Sequence, residues 1–303
     1  MKLFAPLYYK EFHCIADRCR HSCCVGWEIC IDEHTLETYR ALPGAWGDTL
    51  RKSIKTGTDG ACFSLCRDGK CPHLDEAGLC RIIRELGEGY LCDICREHPR
   101  FYNTVGDRME CGVGAVCEEA ARLLLSAEDY VSLYEVGTCE GEPLPLTGNF
   151  DPVFARAAIF AVLSDRSLAY INRMKAILAD CGISIAPGKR GYRTLFGDLE
   201  YLDKAHRPLF CAYDGSFDPS ADTALLCERF FAYLLYRHAS REETRHAFSL
   251  AVGYCAVLSG LFGYLVDKRG LAPVEAAVAV SEELEYSEEN AEAIRFALDL
   301  HNL

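Results

Sequence analysis

Apolar residues recur at helical spacing along the second half of the chain. From Asp151-Pro152, which supplies an N-cap and a first-turn proline, the pattern runs through Phe154, Ala158, Ala161, Val162 and Leu168 to Ile177, and Gly182 stops it. A second helix is predicted after Ser220, carrying Leu225, Leu226, Phe230, Phe231, Leu234 and Leu235. Ser240 and Glu243 read as a capping box for the next run, and Ser287 with Glu288 and Glu289 opens a last helix through Leu298. Between Ser184 and Pro219 the periodicity is weaker and turn residues are frequent, which predicts loop with one or two short elements.

The run from Ala247 to Val266 contains no charged residue and is long enough to cross a bilayer. It also contains Ser249, Gly253, Tyr254, Ser259, Gly260, Gly263 and Tyr264, and it stands alone in a chain of near-neutral mean hydropathy. The expectation is a buried core helix and no membrane partner.

The first half has a different character. Of 18 cysteines, those at positions 14, 19, 23, 24, 30, 62, 66, 71, 80, 92, 95, 111 and 117 precede a Gly- and Pro-containing segment from Gly137 to Gly148, and the remaining five are isolated. The expected organisation is a cysteine-rich domain over 1–140 with irregular loops, followed by an α-helical bundle over 141–303. The fold class is mainly α.

The opening segment, Met1 to Lys10, has no apolar stretch of the kind that leads a chain out of the cell, so a cytoplasmic location is expected. Disulfides do not persist there, and a dense cysteine pattern reads as metal binding or catalysis. The formal net charge of −13 repels phosphate backbones and excludes nucleic acid as a first partner, while a basic protein partner is tolerated.

The cysteine spacings fall into three groups: Cys14-x4-Cys19-x3-Cys23-Cys24; Cys62-x3-Cys66-x4-Cys71 with Cys80; and Cys92-x2-Cys95 with Cys111 and Cys117 following. Short intervals aim two thiolates at one ion or cluster, and Gly26, Gly60, Gly69, Gly78 and Pro72 sit where the necessary turns fall. Structural zinc sites use paired C-x2-C knuckles, a shape that Cys92 and Cys95 alone fit here, whereas cluster ligands tolerate more varied spacing. The pattern favours a [4Fe–4S] cluster, with zinc as the alternative. Cys23 and Cys24, being adjacent, point in different directions, and one of them is expected to serve elsewhere.

Several strings resemble the flagellin lysine-N-methylase family: Phe12-His13-Cys14, Cys19 to Trp27, Gly69-Lys70-Cys71-Pro72-His73-Leu74, Gly78-Leu79-Cys80-Arg81-Ile82, Cys95 to Arg100, and Cys117 to Arg122. The order and spacing match over about the first 125 residues. The family's motif falls on Cys14, Cys19, Cys23, Cys24, Cys71, Cys80, Cys95 and Cys117, with Glu118 standing where the pattern has proline. Cys30, Cys62, Cys66, Cys92 and Cys111 lie outside it and form an extra site or none. The resemblance implies an iron–sulfur enzyme that uses S-adenosylmethionine to methylate lysine side chains of flagellin.

For such a reaction the aromatic or charged side chains Trp27, Arg100, Tyr233 and Tyr236 are the candidates for holding the sulfonium donor, the aromatic faces by cation–π attraction. The tyrosines, at helical spacing, read more readily as core residues. No catalytic base is legible. The glycine signals at Gly112-Val113-Gly114 and Gly137 lack the strand–helix alternation of a nucleotide site, and after Cys19-x3-Cys23 the third radical-type ligand position is Gly26. The competing reading is a non-enzymatic iron–sulfur or zinc-binding module for redox or assembly.

Overall fold

The computed structural model describes residues 1–57, 60–144, 150–185, 189–215 and 218–299. Pro145 to Gly148 of the expected linker lie outside the described residues. The chain forms two compact units, one of residues 13–100 and one of residues 1–12 with 101–303. The division therefore falls at Arg100 and not near residue 140. The reason is a four-stranded sheet in the order Arg100–Val105, Arg108–Val113, Lys2–Pro6, Leu133–Thr138. Lys2–Pro6 runs parallel to Arg108–Val113, with Phe4 opposite Glu110, and antiparallel to Leu133–Thr138, with Pro6 opposite Leu133. That pairing ties the first strand to everything after residue 100, and residues 13–100 are an insertion within it.

The larger unit is mainly helical, as expected. Asp151 caps Pro152–Leu163 by accepting from the Val153 and Phe154 amides, and Ser220 caps Ala221–Leu234 by accepting from Thr223. Ser287 accepts from the Asn290 amide at the start of Glu288–Asp299. The periodic run after Asp151 is two helices, because Asp165 accepts from the Ser167 amide and hydroxyl and turns the chain before Tyr170–Cys181 begins. Gly182 ends that second helix in the left-handed conformation at φ 68°. Lys189–Asp198 and His206–Phe210 are the short elements of the weakly periodic stretch.

The cap before the apolar run differs from the expected box. Thr244, not Ser240, caps Arg245–Arg269, since the Ser240 hydroxyl is taken by Arg156. By length and composition this helix is able to cross a membrane, but 78% of its most apolar window is buried inside the unit. Its polar groups are satisfied there: Ser259 donates to the Cys227 carbonyl at 3.0 Å and Tyr254 to the Leu284 carbonyl at 2.8 Å. Gly260 is required because a Cβ would strike the Tyr213 ring. Ala221–Leu234, Pro273–Val280 and Glu288–Asp299 pack around it.

The unit of residues 13–100 is not the run of irregular loops that was expected. It contains a three-stranded antiparallel sheet in the order Cys30–Ile31, Gly60–Phe63, Ile54–Gly57, with Cys30 opposite Cys62 and Ile54 opposite Phe63. Helices Glu33–Ala41 and Gly44–Ser53 cover Ile29, Tyr39, Leu50 and Phe63. Arg51 donates to the carbonyls of Tyr39, Arg40 and Leu42, which closes the end of the first helix. Shorter helices, Arg81–Leu86 and Asp93–Glu97, carry the cysteine loops described next.

Candidate metal centre

Two tight turns bring the first pair of thiols together. Gly26 (φ 91°) and Gly69 (φ 77°) both occupy the region that side chains resist, and each reverses its loop. The loops then pair: the Gly26 amide donates to the Gly69 carbonyl at 3.0 Å and the Cys71 amide to the Cys24 carbonyl at 2.8 Å. Val25 faces Lys70 in this short ladder. Cys24 and Cys71 are thereby held side by side.

A second turn places Cys80. Asp75 accepts from the Ala77 and Leu79 amides, both at 2.9 Å, Gly78 supplies the positive φ, and Leu74 bridges to Cys80. The third group follows from a shared cap. Asp32 accepts from Thr35 at the start of one helix with one oxygen and from the Asp93 amide with the other, which fixes the start of Asp93–Glu97 and with it Cys92 and Cys95. The Cys92 thiol donates to the Cys95 sulfur at 3.4 Å.

The electrostatics show that these sulfurs share one space. Cys24 is raised by its hydrogen bond with Cys23, by burial, and by the charges of Cys71 and Cys80. Cys95 is raised by its hydrogen bond with Cys92, by burial, and by Cys24 and Cys71. Burial, followed by Cys80, Cys92 and Cys66, pushes Cys71 up to about 11. Thiols coupled in this way do not readily ionise together unless a cation offsets them. Individual sulfurs are nonetheless prepared for charge, because the His73 amide donates to Cys71 and the Cys95 amide to Cys92.

Among the described residues, the groups of three donors lying within 4.8 Å of one another are Glu28, Cys30 and Cys62, and His206, Glu282 and Glu283. The Cys24, Cys71, Cys80, Cys92 and Cys95 thiols converge on a wider scale. Four thiolates on one zinc stand about 3.8 Å apart, as bonds of about 2.3 Å at tetrahedral angles require, whereas an iron–sulfur core holds its thiolates farther apart. An all-thiol donor set suits either occupant, an iron–sulfur cluster or zinc.

Of the cysteines matching the family motif, the structure gathers Cys24, Cys71, Cys80 and Cys95. Cys23 lies beside Cys24 and hydrogen-bonds it, but Cys24 is the one that feels Cys71 and Cys80. Cys14 is exposed and accepts from the Ala16 amide, and the Cys19 thiol donates to the His21 carbonyl at 3.0 Å. Cys117 belongs to the larger unit, where it precedes the helix Glu118–Ser126. Cys92, which lies outside the motif, joins the set; its two-residue spacing from Cys95 was the signal. Cys111 is buried in the larger unit.

The candidate donor-holding residues separate in the same way. Trp27 donates from its indole nitrogen to the Cys23 carbonyl at 2.7 Å and stacks on His98 at 5.9 Å, and Arg100 donates to the Arg96 carbonyl. Tyr233 and Tyr236 are buried in the larger unit. Tyr233 donates to Glu285 at 2.7 Å and accepts from the Ala115 amide, while Tyr236 donates to the Cys111 carbonyl at 2.9 Å. Their hydroxyls are committed to the core.

Fold and site together define a mainly helical protein with an inserted cysteine-rich unit whose thiols converge. Comparison with curated proteins finds lysine-N-methylases of Salmonella typhimurium and Salmonella choleraesuis, each 29% identical over 136 residues, covering 43% of this chain and 34% of theirs. The flagellar biosynthetic protein FliU of Salmonella muenchen is 29% identical over 136 residues, covering 43% of this chain and 80% of its own. These relatives bear out the resemblance drawn from the motifs. The chain spans about a third of the length of the lysine-N-methylases it matches. No protein-family profile matches the chain, and no solved structure does.

Proposed function

We propose that this protein is an S-adenosylmethionine-dependent lysine N-methyltransferase acting on a flagellar protein, flagellin first, with a [4Fe–4S] cluster in residues 13–100. The observation that carries the enzymatic reading is the similarity to relatives named lysine-N-methylase and FliU. The convergence of Cys24, Cys71, Cys80, Cys92 and Cys95 supports the cluster, for which zinc is the alternative occupant.

When bound, S-adenosylmethionine supplies an electrophilic methyl group on a sulfonium. The lysine nitrogen must arrive neutral and in line, form the new N–CH3 bond as the S–CH3 bond breaks, and release a proton. Trp27 and Arg100, in the same unit as the thiols, are the side chains proposed to meet the donor's sulfonium and carboxylate. A net charge of −13 favours a lysine-rich protein surface and disfavours nucleic acid, and the reading places the reaction in the cytoplasm, where thiolates stay reduced.

The test is anaerobic purification with iron and sulfide analysis, followed by incubation with labelled S-adenosylmethionine and flagellin from the same organism. Flagellin should gain the mass of one or more methyl groups on lysine, and higher salt should slow the gain. Bound iron and sulfide with no methyl transfer to flagellin or to any protein of the lysate would turn the reading to a redox or assembly module.

A further inference from the structure

Apart from the converging thiols, the three-stranded sheet of residues 13–100 carries a second group of soft donors. Its register sets Cys62 between Cys30 on one neighbouring strand and Lys55 on the other. Side chains of paired residues leave the same face of a sheet, so these three form one row across it. Ile31, Ala61 and Phe63, alternating with them, face the apolar core. Glu28 reaches the same row: its carboxylate oxygen and the two sulfurs all lie within 4.8 Å of one another.

The details suit a metal ion. The two sulfurs stand 3.5 Å apart, close to the spacing of about 3.8 Å that two thiolates take on a tetrahedral zinc. Cys30 and Glu28 are exposed and give an entry path, while Cys62 is buried. Glu28 is held by the Lys55 ammonium at 2.5 Å. Two thiols and one carboxylate select a borderline-soft divalent ion over magnesium or calcium, which require oxygen sets.

We propose that Glu28, Cys30 and Cys62 form a mononuclear site for a thiophilic divalent cation, zinc in the first instance, separate from the converging thiols of Cys24, Cys71, Cys80, Cys92 and Cys95. Binding releases the two thiol protons to solvent and leaves a site of net charge −1. Lys55 is the built-in competitor, because it must give up Glu28 for the ion to enter. Three protein donors leave one tetrahedral position for water or an added ligand.

The test titrates zinc into the anaerobically purified full chain against a chromogenic chelator, and counts zinc, iron and sulfide in the same samples. The paired change Cys30→Ser with Cys62→Ser should lose one zinc per chain and keep its iron and sulfide. Glu28→Gln should bind zinc more weakly and Lys55→Met more tightly, and both are exposed positions whose substitution leaves the core intact. Should the converging thiols themselves take zinc, the wild type counts two and the paired variant one, so the result is readable without a cluster. Unchanged zinc in the paired variant, loss of iron and sulfide together with the zinc in a folded paired variant, or a Cys30–Cys62 disulfide in the anaerobic protein would overturn the proposal. If the paired variant fails to fold, unchanged affinity in both Glu28→Gln and Lys55→Met overturns it equally.

Discussion

Residues 13–100 bury a small apolar set around Ile29, Tyr39, Leu50 and Phe63 and place cysteines at its margin, whereas the larger unit buries whole helices together with, among the described residues, five glutamates. Each meets a basic side chain: Glu110 Arg108 and Arg156, Glu119 Arg122, Glu228 Arg166 and Arg173, Glu283 His206, and Glu285 Arg237 and His238. In the smaller unit the groups that act on one another are thiols, and beyond burial the neighbours that raise Cys24, Cys71 and Cys95 are other cysteines. The larger unit carries its own counter-charge, and the smaller, on the function proposed above, takes one from solution.

Removing the metal should separate the two units most sharply. Anaerobic chelation, or Cys95→Ser, should unfold residues 13–100, because metal binding in such sites supplies on the order of 10 kcal/mol of folding free energy. Hydrogen exchange followed by mass spectrometry should find Ala221–Leu234 and Arg245–Arg269 still protected. Equal loss of protection in both units would break the comparison.

Arg156→Met attacks the other side. Arg156 grips Glu110 through two bonds, at 2.6 and 2.9 Å, and both are buried. Leaving that carboxylate with Arg108 as its remaining cation should cost about 2–3 kcal/mol in chemical denaturation of the larger unit, with metal content unchanged. Gly260→Ala, which drives a methyl into Tyr213, should cost about 1–3 kcal/mol in the same measurement.

Acid should act on the larger unit more gradually. Burial, outweighing the hydrogen bond to Glu285 and reinforced by Arg237 and Arg241, holds His238 down at about 4. The unfolded chain, with an ordinary histidine, takes up a proton near pH 6.5 that the folded unit refuses. Stability is therefore complete above about pH 6.5 and falls as the pH drops toward 4, by about 1.4 kcal/mol per pH unit at most. Glu285, held at about 2 by Arg237 and His238 against its burial, extends the loss below pH 4.5. His238→Gln should flatten the upper window in a series of denaturation curves and narrow the lower one, which Arg237 still holds open.

The helices of the second half were legible because their signals are local: Asp151, Ser220 and Gly182 act within one turn of themselves. Ser240 misled, since its hydroxyl answers Arg156, a partner 84 residues away that no capping rule can see. The strands were invisible for the same reason. Lys2–Pro6 pairs with residues more than a hundred positions later, and only the assembled sheet reveals that residues 13–100 are an insertion. At the site, spacing identified which cysteines stand near one another, Cys92 beside Cys95 included, but not that Cys117 would lie in the other unit.

The insertion sets an order of events at the ribosome. The strand Lys2–Pro6 is made first and cannot find its partners until Arg108–Val113 and Leu133–Thr138 have been translated. All of residues 13–100 emerge before then, a lead of roughly seconds at about 5–20 residues per second. The newborn cysteine-rich segment thus leaves the ribosome before the strands on either side of it in sequence have paired, so a metal taken up there, on the function proposed above, has its first opportunity during synthesis.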